Sequence, residues 1–188
     1  MTAIQIGLIA FLVPAVGLSQ AGPPRAASPA LAPPAYRGFL AGVPYREFAE
    51  RARALAQRDT FRCNTSRNTA QLMECGVTIR DPADGATFYL SAYVLESQIA
   101  MVALYDSAGF GDTRGVPLVE RTKRDLARRF GRPRLIGKGG WEWRYGRKVV
   151  RFNWRGRGTA RWVSITLTDN EVMDRISRYV KPVPTRKS

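Results

Sequence analysis

Two stretches of this chain repeat one order of hydrophobic and polar positions. The first opens with Gly42-Val43-Pro44 and continues YREFAERARALAQ; the second opens with Gly115-Val116-Pro117 and continues LVERTKRDLARRF, with Glu47 matched by Glu120 and Arg51 by Arg124. In the first, Pro44 suits the opening turn of a helix, and Tyr45, Phe48, Ala52 and Leu55 share one face at helical spacing. The period then drops to two. Met73, Cys75, Val77 and Ile79 alternate with Glu74, Thr78 and Arg80, and Phe88, Leu90, Ala92 and Val94 alternate with Thr87, Tyr89, Ser91 and Tyr93. Asp81-Pro-Ala-Asp-Gly85 supplies the turn between them. Ile99 to Tyr105 follows as a mostly apolar strand, and Tyr36 to Ala41 is a candidate first strand.

The second stretch has the same sequel. Leu118, Thr122, Leu126 and Phe130 form a helical stripe that Gly131 and Pro133 terminate, with Arg128 and Arg129 at the negative end of the helix dipole. Strands follow over Trp141 to Tyr145, Lys148 to Trp154 and Ala160 to Thr168, joined by turns at Gly146-Arg147 and Arg155-Gly-Arg-Gly158. The Arg-Gly pairs of that second turn look like an RNA-binding element, but a hairpin turn is the simpler use of them. Thr168 and Glu171 have capping-box spacing and start a last helix with Val172, Ile176 and Val180 on one side. The predicted fold class is α+β. It comprises two tandem modules, 36–112 and 113–181, each a helix packed on a three- or four-stranded antiparallel sheet, plus the C-terminal helix.

Strand parity then singles out a face. Val150, Phe152, Val163, Ile165 and Leu167 belong under the helix, which places Arg151, Asn153, Trp162, Ser164 and Thr166 on the opposite side. Tyr89 and Tyr93 take the corresponding positions in the first module, and Glu142 and Arg144 lie opposite the parity of Trp141, Trp143 and Tyr145. Aromatic and Arg side chains anchor protein interfaces and also stack on bases or sugars. The same aromatics would serve equally as a second core layer beneath the last helix, and parity does not decide whether Trp141, Trp143 and Trp162 are surface or core.

The first 21 residues carry no charge and run apolar from Ile4 to Leu18 before Ser19-Gln20-Ala21. They read as a secretory signal cut after Ala21. An uncleaved N-terminal anchor is the competing reading, because no Lys or Arg precedes the apolar run. Residues 22–35 are Pro- and Ala-rich and read as an extended linker, and 182–188 as a tail. Export changes the meaning of the only two cysteines, Cys63 and Cys75: in an oxidising compartment the pair predicts a disulfide stapling a polar loop. Use as a metal site or as a catalytic thiol would need further ligands or an activating base, and the chain contains no His.

Charge adds a second candidate surface. The 188 residues carry a formal net charge of +15. Between Arg121 and Arg161, fifteen Lys and Arg face only Asp125 and Glu142. Arg121, Arg124, Arg128, Arg129, Arg132 and Arg134 form the candidate basic patch, which suits an anionic partner such as lipid head groups, envelope polymer or nucleic acid. Ordinary solvation of a basic surface is the plainer alternative.

Catalysis has little support. Asp106, Asp112 and Glu96 are the carboxylates a hydrolase would use, but nothing in the sequence pairs them with a second catalytic group. The run from Asp106 to Asp112 has glycines but lacks the Lys-Ser/Thr ending of a phosphate loop and reads as a linker between modules. No cofactor or metal is expected.

The Gly-Val-Pro lead-in, the tandem order and the cysteine pair after the first helix together resemble the beta-lactamase-inhibitor-protein-like fold of exported bacterial proteins. That fold is also similar to the small outer-membrane lipoproteins of the barrel-assembly machinery. The likeness covers roughly Tyr36 to Thr168. It implies modules of a helix on an antiparallel sheet joined into one continuous sheet, and a non-catalytic protein that binds another protein in the cell envelope or outside the cell.

Overall fold

A computed structural model describes residues 32–57, 60–67, 69–106, 115–137, 139–157 and 160–179. The signal, most of the linker, Asp112, Val180 and the tail lie outside the described residues. Helix α1 (Tyr45–Leu55) precedes four strands, β1 (Arg62–Thr65), β2 (Leu72–Arg80), β3 (Thr87–Leu95) and β4 (Gln98–Asp106). Helix α2 (Gly115–Phe130) precedes four more, β5 (Arg134–Leu135), β6 (Gly140–Tyr145), β7 (Lys148–Arg157) and β8 (Ala160–Asp169). Helix α3 (Asn170–Met173) and a 3-10 turn (Asp174–Arg178) complete the order. The fold is α+β, built on one antiparallel sheet of eight strands in the order β1-β2-β3-β4-β8-β7-β6-β5.

Both long helices bury their apolar stripes against the same face of that sheet. Phe48 and Ala52 of α1 and Val119 and Leu126 of α2 share one cluster with Val77, Leu90, Leu104, Ile165 and Phe152. Those five strand residues stand in consecutive register across the sheet, so a single row of pleats supplies the floor of the core. The stripe of α2 is as predicted at Thr122, Leu126 and Phe130; the side chain of Leu118 lies outside the described set. Gly131, at φ +77°, ends the helix with its N–H on the Ala127 carbonyl, as the left-handed cap requires.

Four local expectations are corrected. Tyr36 to Ala41 is a two-residue reversal instead of a strand: Arg37 and Gly38 take positive φ, and Tyr36 and Phe39 exchange both backbone hydrogen bonds. The reversal drives both rings into the core, and the Arg37 guanidinium lies over the Phe88 ring at the core's margin, paired with Asp81 and Asp84. Part of the polar cysteine loop is edge strand β1, with Cys63 directly opposite Cys75. Arg155 and Arg157 are not turn residues, because β7 continues pairing to Arg157↔Ala160. Finally, the cap of α3 is Asp169, not Thr168: its carboxylate accepts from the N–H groups of Glu171 and Val172.

Candidate functional site

With α1 and α2 on one face, residues of the other parity face outward. In register across the sheet, Tyr89 pairs with Tyr105, Tyr105 with Ser164, Ser164 with Asn153, and Trp162 with Arg155. Alongside runs a row of small residues, Gly76, Ser91, Ala103 and Thr166, which continues into Arg151, Glu142 and Arg134. The predicted parity of Arg151, Asn153, Trp162, Tyr89 and Tyr93 is therefore the observed one, and all five share the face turned away from the long helices.

The floor of this face is low because its residues are small, and its walls are aromatic. The rings of Tyr89 and Tyr105 lie 6.4 Å apart. They are 45% and 36% exposed, and with Leu135 they make up the large hydrophobic residues exposed among those described. Tyr89 lies across Gly76, so closely that a Cβ on Gly76 would fall 2.2 Å from the tyrosine hydroxyl. On β7 and β8 the Arg155 guanidinium sits 5.9 Å from the Trp162 ring centre, a cation–π distance.

One end of the face is covered. Val172 packs on Leu72, Leu95 and Ala100, with Tyr93, Ile176 and Tyr179 against them. Tyr93 is accordingly half-buried under the C-terminal segment, as the second-layer alternative holds for this residue alone among the candidate tyrosines. Arg175 and Tyr179 both bond Glu96 at the β3–β4 turn. The Tyr179 hydroxyl is the main reason the Glu96 carboxyl titrates below the usual range. Glu96, offered as a hydrolytic carboxylate, is thus a fastening point for that segment.

Next to the small-residue row is a charged cluster. Glu142 projects onto the outward face yet is only 2% exposed, because arginines cover it. Arg144 Nε donates to one of its oxygens at 2.6 Å and Arg151 Nε to the other at 2.8 Å. These two bonds, Arg144 first, hold the Glu142 carboxyl below its ordinary range.

The other tryptophans of β6 belong to the helix side. Trp143 is buried, donates its indole N–H to the Gly131 carbonyl at 2.9 Å and packs on Phe130. Trp141 lies in the same layer, with Lys123 of α2 near its ring and nearer still, 4.4 Å, to that of Trp154.

The basic patch divides between two sides. Arg121, Arg124, Arg128 and Arg129 are exposed on α2, the helix layer, where Arg128 has Asp125 at 3.7 Å and Arg129 approaches the Tyr36 ring. Arg132 is exposed just beyond the helix. Arg134 instead stands opposite Glu142 on the outward face of the sheet.

Three members of this face were not singled out in the sequence. Tyr105 sits in a run that reads as mostly apolar, in which its parity with Met101 and Ala103 is the only sign of its side. Arg155 reads as a turn residue, and Glu142 has the parity of Arg144 in the sequence but no sign there of a binding role. Among the described residues no group of His, Cys, Asp and Glu is placed to hold a metal ion, and no helix is long and apolar enough to cross a membrane.

No protein-family model matches the chain, and no curated protein or solved structure does so either.

Proposed function

We propose that the chain is an exported, non-catalytic binding protein whose outward sheet face grips a protein partner. The observation that carries this reading is the pairing of Tyr89 and Tyr105, both exposed, in register, on the face that α1 and α2 leave open. Trp162 with Arg155, and Arg144 with Arg151, extend the same surface with the residue types that dominate interface energetics. The shared order of a helix followed by four strands fits a tandem duplication, in which each copy contributes half of the face. Export rests on the uncharged apolar N-terminal run, and an oxidising compartment suits the Cys63–Cys75 disulfide.

A second reading uses the opposite side. The exposed arginines of α2 suit an anionic polymer, lipid head groups or nucleic acid. Salt separates the two, because counterion release makes polyanion binding fall steeply with ionic strength, while an aromatic-anchored protein interface responds modestly. The test is capture of partners from envelope extract by the tagged chain, washed at low and then high salt, beside Y89A/Y105A and R121Q/R124Q/R128Q variants. A single protein that survives high salt and is lost with the tyrosine pair supports the first reading. Heterogeneous anionic material, lost at high salt and with the arginine variant, replaces it with the second.

A further inference from the structure

Resting on the protein-partner reading, we propose that Arg144 and Arg151, fixed in place by Glu142, form a receiving site for a carboxylate side chain of the partner. Glu142 is an ionised group sunk into an otherwise outward face, a position that costs desolvation and is tolerated only with close charged partners. It has two, one for each carboxylate oxygen, and both guanidinium groups reach it through Nε. Each arginine therefore keeps its pair of terminal Nη groups without a protein acceptor among the described residues. Both side chains remain about half exposed, at 59% and 48%.

That arrangement is suited to oxygen pairs. A guanidinium restrained at Nε loses the freedom that makes free surface arginines weak binders, and its outer edge matches a carboxylate in bidentate geometry. The charge count points the same way: Arg144 and Arg151 pair with one carboxylate and Arg134 stands opposite it in the ladder, so the cluster carries surplus positive charge after Glu142 is paired. Tyr105 on β4 and Arg151 on β7 are separated by β8 alone, about 10 Å across the sheet at the usual strand spacing. Arg151 is also offset by two residues along the strand from Asn153, which is the residue in line with Tyr105, so the partner segment that fits presents an apolar side chain to the tyrosine pair and an Asp or Glu about 12 Å away.

The experiment is titration of the full-length chain, with arginine Nε signals followed by 15N NMR. The probes are acetyl-Gly-Glu-Gly-amide, acetyl-Gly-Gln-Gly-amide and inorganic phosphate. The expected result is a saturable shift of the Arg144 and Arg151 signals with the Glu peptide and none with the Gln peptide. The R144K/R151K variant retains the charge and the compensation of Glu142 but lacks the fork, and its affinity for the Glu peptide, followed in both proteins through the backbone amide signals of β6 and β7, falls at least tenfold. Silence of both signals with the Glu peptide, full affinity in the lysine variant, or a response to phosphate alone would each overturn the proposal. The two levels separate cleanly. A captured partner that needs Tyr89 and Tyr105 but ignores R144K/R151K refutes the carboxylate site and leaves the protein-binding reading standing. A peptide response with no captured protein does the reverse.

Discussion

Cys63 and Cys75 stand directly opposite one another in the β1–β2 ladder, their Cα atoms 4.0 Å apart, and are joined as a disulfide. The bond ties the four-residue edge strand to the nine-residue strand beside it. Tyr45 of α1 places its hydroxyl 3.4 Å from the Cys63 sulfur, so edge strand, sheet and helix meet at one point. Closing so short a loop stabilises by about 2–4 kcal/mol. Reduction, or C63A/C75A, is expected to lower the thermal midpoint by roughly 6–12 °C in a chain of this size. Calorimetry with and without dithiothreitol measures it, and an unchanged midpoint would show that β1 holds without the bond.

Gly42 has a φ of +87°, and a Cβ there would fall 2.3 Å from an oxygen of Asp169 and 2.6 Å from Lys148 Nζ. Both groups are engaged: Lys148 donates to the Ala41 carbonyl at 2.9 Å and pairs with Asp169, which caps α3. G42A therefore incurs backbone strain and displaces a partly buried ion pair. A loss of about 1–3 kcal/mol is expected, read as a shift of the urea midpoint. D169A, which removes the cap and the pair while leaving the backbone relaxed, is expected to cost about 1–2 kcal/mol. If G42A is neutral, the lead-in to α1 is not held in the conformation described.

The period of two made most of this sheet legible. Val150, Phe152, Val163, Ile165 and Leu167 are all buried beneath the helices, and their neighbours Arg151, Asn153 and Trp162 fall on the outward face, because one residue decides the side of every residue after it. Where parity ran against composition, the sequence was less informative. Arg155-Gly-Arg-Gly158 has the chemistry of a turn, yet the ladder persists through Arg157, since pairing with β8 outweighs weak local preference. Tyr36 to Ala41 has strand-like residues, but Arg37-Gly38 reverses the chain once both flanking rings find the core. The burial of Glu142 was invisible for a different reason. It depends on Arg144 two residues along and on Arg151 across the ladder, and only register brings that second arginine into place.

The same carboxylate sets an acid limit. Its arginine partners hold the folded Glu142 carboxyl below its ordinary range, whereas in the unfolded chain a glutamate titrates near pH 4.3. As pH falls through that value the unfolded chain takes up a proton that the folded chain resists, so folding is favoured fully above about pH 4.3 and progressively less below it. Thermal midpoints from pH 7 to pH 3 are expected to fall in this window, and E142Q to fall less steeply there while starting lower at pH 7. Parallel curves for the two proteins would remove Glu142 from the account.

The position of Tyr89 is a sharper test of the open face than its presence. Y89A/Y105A deletes the aromatic pair from an exposed surface, so it is expected to leave stability within about 1 kcal/mol and to weaken partner capture by about thirtyfold, the scale of an interface anchor. By contrast, L126A removes a fully buried side chain of α2 and is expected to cost about 2–5 kcal/mol, reducing capture only through loss of folded protein. G76A lies between them. Its new Cβ collides with the far end of the Tyr89 side chain, 2.2 Å from the hydroxyl and 2.9 Å from the adjoining ring carbon, so the ring swings off the sheet while the fold persists. Capture in G76A is therefore expected to drop with the ring still present and the thermal midpoint nearly unchanged. If G76A binds like the parent while Y89A/Y105A does not, the tyrosines contribute only area; if neither variant affects capture, the partner uses another surface.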